Sequence, residues 1–303
     1  MVHLPADVAG ARARELSVLT GALVRAAERG VPRLPSALDV PLAEVLGSLS
    51  YLAAPRARAA VRENLRIAAP ERADAGTIRR VFVEQARNYL EIMRIPTFDA
   101  ARLLANVDQR GWEHFADAHA KGKGVIVASA HLGPVSLVGQ LFIARGYETV
   151  LPVETGRSEF QRAVNRRRAA MGLQLVTSDA PLAIVRALRA GKVFGLLADR
   201  AVTGVGERVP LFGREALLPS VHVALALRTG VPLIPAFSGR EGGRLTASFE
   251  PELELVPTGD RAADVRMGML RWAAVLERYV RRAPEQWTVF EPLWGAPDAQ
   301  APK

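Results

Sequence analysis

Gly124-Val125-Ile126-Val127-Ala128-Ser129-Ala130-His131-Leu132-Gly133-Pro134 carries an apolar run of strand length from a Gly-Lys-Gly turn (Gly122 to Gly124) up to a histidine. Such a run, without polar alternation, predicts a strand buried on both faces, as in parallel sheets. Pro134 suits the first turn of a helix, and Gly133 permits close backbone approach. In open α/β sheets ligands collect beyond the carboxyl ends of strands, often against the next helix N-terminus. His131 falls at that point, where an imidazole can take the proton of a hydroxyl. The same position also suits a histidine that merely caps or packs at a helix start.

Downstream, helices and strands alternate. A helix is expected over 134–145, a strand over 147–153, a helix over 159–171 and a strand over 173–177. A further helix over 181–190 leads to the strand Val193 to Ala198. A helix over 220–229, strands over 232–237 and 244–255, and a last helix over 261–282 complete the chain. This alternation predicts right-handed crossovers and a mostly parallel central sheet flanked by helices, an α/β fold. Upstream, helices are expected over 8–30, 36–53, 56–68 and 77–93. Residues 1–100 are therefore read as a helical segment packed on the core, and 101–303 as the α/β core, together one structural domain.

The chain has 303 residues, half of them apolar, no cysteine and a formal net charge of +9. Disulfides, thiolate metal sites and thiol nucleophiles are excluded. The positive balance suits an anionic partner such as lipid headgroups, or only arginine-rich solvated faces. The charge is scattered and lacks interleaved aromatics, which argues against nucleic acid. No secretory leader is legible at Met1, and the longest apolar stretch, Val40 to Ala54, is too short to span a bilayer and carries Glu44. The expected location is peripheral, on the cytoplasmic face of the membrane. Phosphate-cradling loops, dinucleotide fingerprints and zinc-ligand pairs are lacking. His114 and His119 stand five apart, a poor ligand spacing, and are read as surface residues.

Further candidates lie at the same sheet edge. Asp199-Arg200 follows the Val193 strand, and an arginine there can hold phosphate or carboxylate through paired hydrogen bonds; a surface ion pair is the plain alternative. Glu154 and Arg157 follow the Tyr147 strand by the same logic. Arg166-Arg167-Arg168 covers most of a helix circumference, so one residue at least is solvated, and the run also suits lipid phosphate. Leu211-Phe212-Gly213-Arg214 and Leu217 to Ser220 read as an apolar loop, either lining a fatty-chain channel or belonging to the core.

Together these residues resemble the bacterial lipid A biosynthesis acyltransferase family, which includes the phosphatidylinositol mannoside acyltransferases. The likeness runs through Leu46 to Leu52, Pro55-Arg56 and Val61 to Leu65, then Gly111 to His114 and Gly122 to Ile126. It continues through His131-Leu132-Gly133, Ala198 to Gly204, Val209 to Arg214, Ala224 to Pro232 and the closing Pro284-Glu285-Gln286-Trp287. The resemblance implies a glycerolipid acyltransferase-like fold and fatty acyl transfer from acyl-CoA or an acyl carrier protein to a hydroxyl of a glycolipid or lysophospholipid. No metal or other cofactor is expected, because the thioester is already activated. The acceptor is expected to be an anionic membrane lipid or glycolipid.

In the family a carboxylate five residues after the histidine orients the imidazole. Here that position is Ser136, which cannot stabilise an imidazolium. Three explanations stand: another carboxylate (Asp199, Glu154 or Glu207) reaches His131; catalysis is slow but sufficient; or transfer is lost and the chain binds lipid or acyl carrier. The expected catalytic set is His131, Ser136, Asp199 and Glu154. The expected substrate-binding set is Gly133, Arg157, Arg168, Arg200, Glu207, Phe212 and Arg214.

Overall fold

A computed structural model describes residues 21–153, 158–177, 181–201 and 204–294. The helices expected before residue 100 are present as α1 (21–30), α2 (Asp39–Ala53), α3 (Pro55–Ala68) and α4 (Ala75–Arg94). Pro55 opens α3 at its first helical position, where its missing N–H costs nothing. Asp74 caps α4 by accepting the Thr77 N–H at 2.9 Å. A bidentate, buried Arg94–Asp39 pair (2.8 and 2.7 Å) ties α4 to the start of α2. The part of the first expected helix before residue 21 lies outside the described residues.

The rest of the chain follows as α5 (Ala100–Asn106), β1 (Val107–Arg110), α6 (Trp112–Ala120), β2 (Val125–Ser129), α7 (Val135–Val138), α8 (Gln140–Ala144) and β3 (Thr149–Val153). Then come α9 (Glu159–Ala169), β4 (Gln174–Thr177), α10 (Pro181–Arg189), β5 (Val193–Leu197), β6 (Glu207–Leu211) and β7 (Arg214–Leu218). The chain closes with α11 (Val221–Thr229), β8 (Leu233–Glu241), β9 (Arg244–Phe249) and α12 (Arg261–Arg282). The main sheet has seven strands in the order β1-β9-β8-β2-β5-β3-β4. Five are parallel from β8 to β4, while β9 runs antiparallel to β8 and carries β1 parallel to itself.

Strand β2 lies centrally, as its apolar run requires. Val125 and Val127 enter one core with α4, α6 and α8; Ile126 and Ala128 enter the other with α11, α12 and the Trp272 and Trp287 rings. Each fully buried Val or Ile contributes about 1.5–3 kcal/mol of transfer free energy. The β2–α7 junction therefore stands on a strand buried in both hydrophobic cores.

The structure departs from expectation in four places. The helix expected over 134–145 is broken at Gly139 into α7 and α8. The strand expected over 244–255 ends at Phe249, before Pro251, which has no N–H to donate to a ladder. Strand β1 went unread because Val107-Asp108-Gln109-Arg110 offers one apolar residue only. The apolar loop expected around 211–220 is a hairpin, β6–β7, closed by Leu211 opposite Arg214. Its two-residue turn is Phe212 (φ 51°) and Gly213 (φ 77°), the double positive φ that suits a tight hairpin.

Candidate active site

Strands β2 and β5 pair in parallel with Val125 opposite Val193 and Ser129 opposite Leu197. The Ala198 N–H extends the ladder by donating to the Ser129 carbonyl at 2.8 Å. Two residues past both strand ends the same register brings His131 beside Asp199. The Asp199 carboxylate accepts from the His131 backbone N–H at 2.9 Å with one oxygen and meets the ring Nδ1 at 2.8 Å with the other. Trp287 Nε1 donates to the first of these oxygens at 3.0 Å. The carboxylate is fully buried, whereas the His131 side chain stays about a quarter exposed (26%).

Burial pushes the Asp199 pKa up. The opposing pull of the His131 charge, both His131 hydrogen bonds and the Trp287 N–H is greater, and the group is held below the ordinary aspartate range. With Nδ1 engaged, the His131 Nε2 has no protein partner among the described residues, and the ring lines a cavity of about 610 Å³.

The closing Pro284-Glu285-Gln286-Trp287 motif fixes this loop. The Gly133 N–H donates to the Gln286 carbonyl (2.9 Å) and the Thr288 N–H to the His131 carbonyl (2.8 Å). Gly133 has φ 60°, and a Cβ there would stand 2.8 Å from the Ser238 carbonyl oxygen, so glycine is required. Trp287 was not singled out as a site residue; an indole N–H aimed at a carboxylate 88 positions away leaves no local sequence pattern.

Ser136 lines the same cavity but touches a different partner: its hydroxyl accepts from Arg168 Nε at 2.9 Å. The family's acid position therefore faces Arg168 here. A second cavity, about 120 Å³ and almost wholly apolar, runs between the sheet and the α7–α8 segment against Val127, Phe142, Leu151, Gly195 and Phe249. Gly195 opens its floor, because a Cβ there would meet the Leu151 side chain at 2.6 Å.

The remaining candidates separate. Gly133, Arg168 and Arg200 line the larger cavity, and Arg200 pairs across its rim with Glu291. Glu207 is not near His131; it lies on β6 and pairs with Arg266 at 3.3 Å. Phe212 and Arg214 line neither cavity, since the hairpin turn carries Phe212 towards Trp287 and Trp294 and leaves Arg214 exposed. Glu154 and Arg157 lie outside the described residues. His114 and His119 are half-buried rather than superficial: their rings meet the Phe249 carbonyl (2.9 Å) and the Gly191 carbonyl (3.0 Å).

A strand-end histidine bonded to a buried carboxylate thus stands beside a larger cavity of mixed lining and a smaller one that is almost wholly apolar. The sequence matches the family described as bacterial lipid A biosynthesis acyltransferase over residues 11–295. The chain belongs to that family and is an acyltransferase. It is 27% identical over 217 residues to a phosphatidylinositol mannoside acyltransferase of Mycobacterium tuberculosis (strain ATCC 25618 / H37Rv), covering 69% of this chain and 67% of the relative. It is 28% identical over 225 residues to the protein of the same description from Mycolicibacterium smegmatis, covering 72% of each.

Proposed function

We propose that this chain moves a fatty acyl group from an acyl-CoA or acyl carrier protein thioester to a hydroxyl of a phosphatidylinositol mannoside-like glycolipid. His131 acts as general base. Asp199, rather than residue 136, holds its ring in the reactive orientation and stabilises the imidazolium that forms. The observation that carries this reading is the 2.8 Å Nδ1–Asp199 contact, which leaves Nε2 facing the larger cavity.

The apolar cavity suits the acyl chain, and the larger one suits the acceptor. Its polar wall of Gln85, Asn88, Gln161 and Asn165 fits sugar hydroxyls, and the Arg200 side of the cavity fits an anionic headgroup. The acceptor class is carried over from the mycobacterial relatives, which are phosphatidylinositol mannoside acyltransferases. The reading of a lipid binder without activity rested on the serine at 136, and a buried aspartate in contact with His131 removes its motive.

The test is acyl transfer from a radiolabelled acyl-CoA to a phosphatidylinositol mannoside. His131→Ala is expected to abolish transfer while the protein stays folded by circular dichroism. Turnover equal to that of the parent protein would remove His131 from the role of base.

A further inference from the structure

Two indole N–H groups converge on consecutive residues at the end of β5. Trp272 on α12 donates to the Ala198 carbonyl at 3.1 Å, and Trp287 of the closing motif donates to Asp199 Oδ2 at 3.0 Å. Both rings are fully buried. The two bonds differ in kind. Trp272 satisfies a buried backbone carbonyl. Trp287 meets a charge, on the same oxygen that accepts the His131 backbone N–H. An antiparallel bridge joins Trp287 to Leu132, so the loop that carries His131 also fixes the donor to its partner.

The other charged groups about the cavity are engaged elsewhere. Arg200 pairs with Glu291, Glu91 with Arg87 and Arg240, and Arg168 bonds Ser136. His222 on α11 lies against Trp272, ring centroids 5.2 Å apart, and burial pushes its pKa down to about 3, so it is neutral at ordinary pH. Among the described residues Trp287 is the one side chain besides His131 hydrogen-bonded to the Asp199 carboxylate.

A buried carboxylate attracts an imidazolium strongly, and a ring that stays protonated cannot take a proton from a hydroxyl. A neutral donor on the same carboxylate draws off part of its negative charge. We infer that Trp287 is a positioning residue that holds Asp199 in line with the His131 ring and, by sharing its charge, keeps that ring able to accept the proton of the acceptor hydroxyl. The inference rests on His131 acting as base, but the bond has consequences that need no turnover.

The experiment compares the pH profile of kcat/KM for acyl-CoA, with a phosphatidylinositol mannoside as acceptor, in the parent protein, W287F and W272F. W287F loses the donor to the charge. Its acid limb should move to higher pH by about one unit, the scale of a hydrogen bond to a charged group, and kcat on the plateau should fall about tenfold. W272F loses the same kind of donor to an uncharged carbonyl, so it should lower the melting temperature and leave the acid limb in place. A parental acid limb in W287F, or an equal shift in W272F, would overturn the inference. Proton–nitrogen NMR of the parent protein gives a second reading that needs neither variant to fold. One indole N–H resonance should shift with pH at the midpoint of the His131 ring and lose that midpoint in His131→Ala; if no indole follows the ring, the inference fails. Abolished transfer in His131→Ala with an unmoved acid limb in W287F would sink this inference and spare the general base. Parental turnover in His131→Ala would sink both.

Discussion

Asp199 is ionised, buried and bonded on both oxygens, so its environment works only for the charged form. Asp199→Asn keeps the shape and removes the charge that holds the imidazolium. In serine proteases the equivalent change costs about 10⁴ in kcat, and a loss of that order is expected here in the transfer assay. The same group sets a pH signature. Its folded pKa lies below the ordinary 3.8, so its contribution to stability is complete above that value and is lost as pH falls through the folded pKa. The difference in melting temperature between the parent and Asp199→Asn should therefore be constant near neutrality and shrink below about pH 4. A difference that grows on acidification would contradict the assigned direction. At this scale the sequence was legible where register does the work. Val125 and Val193 pair, so His131 and Asp199, equally far along, meet. It was silent where contact arises by crossing elements: Trp287 reaches Asp199 from the end of the chain, and Arg168 reaches Ser136 from α9.

Elements were legible where their apolar period is simple. The buried run of β2 and the span of α12 (Arg261–Arg282) are legible, whereas Pro55, which reads as an interruption before α3, is its first residue, and the Asp260 cap of α12, which accepts from Ala262 and Ala263, comes from the structure. The β6–β7 hairpin was not legible, because Phe at a positive φ is a rare turn residue and Pro210 sits inside a strand. Helix α2 has the opposite habit from a solvated helix. Its small residues Ala43 and Gly47 face inward, and a Cβ on Gly47 would stand 2.4 Å from Val83 Cα, so α2 lies close against α4. Its large residues Val45, Leu46, Leu49 and Leu52 are left exposed. No single described helix is long and apolar enough to cross a membrane. An outward row of that kind suits insertion into the headgroup boundary, with Arg56 and Arg66 of α3 beside it for anionic lipid. Leu49→Glu with Leu52→Glu should lower co-sedimentation with vesicles of phosphatidylinositol and phosphatidylcholine at least tenfold, leaving the melting temperature within a few degrees. Unchanged sedimentation would remove α2 from the membrane face.

Across the whole molecule, the cavity wall is held by residues that no local pattern connects. Arg240 on β8 is buried, its side chain 5% exposed, and meets Glu84 (2.6 Å), Asn88 (2.8 Å) and Glu91 (2.5 Å) on α4. Its backbone exchanges hydrogen bonds with the Gln286 side chain: the Arg240 N–H donates at 2.8 Å, and its carbonyl accepts at 2.9 Å. Gln286 in turn holds the Gly133 N–H. The helical N-terminal segment, the sheet and the closing motif are thus joined in one chain of contacts that ends two residues from His131. That is why the segment before residue 100, which carries no catalytic candidate, lines the larger cavity through Asn88, Tyr89 and Glu91. Arg240→Ala leaves Glu84 without a cation and Glu91 with Arg87 alone, and breaking a buried pair in this way typically costs about 3–5 kcal/mol. Urea unfolding should report a loss of that size, and kcat should fall with it because the backbone that presents His131 loosens. Replacing Glu84, Glu91 and Arg240 together by apolar residues of similar volume should recover part of the stability, since the buried guanidinium and its carboxylates go together and only the more exposed Arg87 loses a partner. If Arg240→Ala unfolds at the parental urea midpoint, the cluster is a surface ornament and the coupling between α4 and the catalytic loop must run through apolar packing alone.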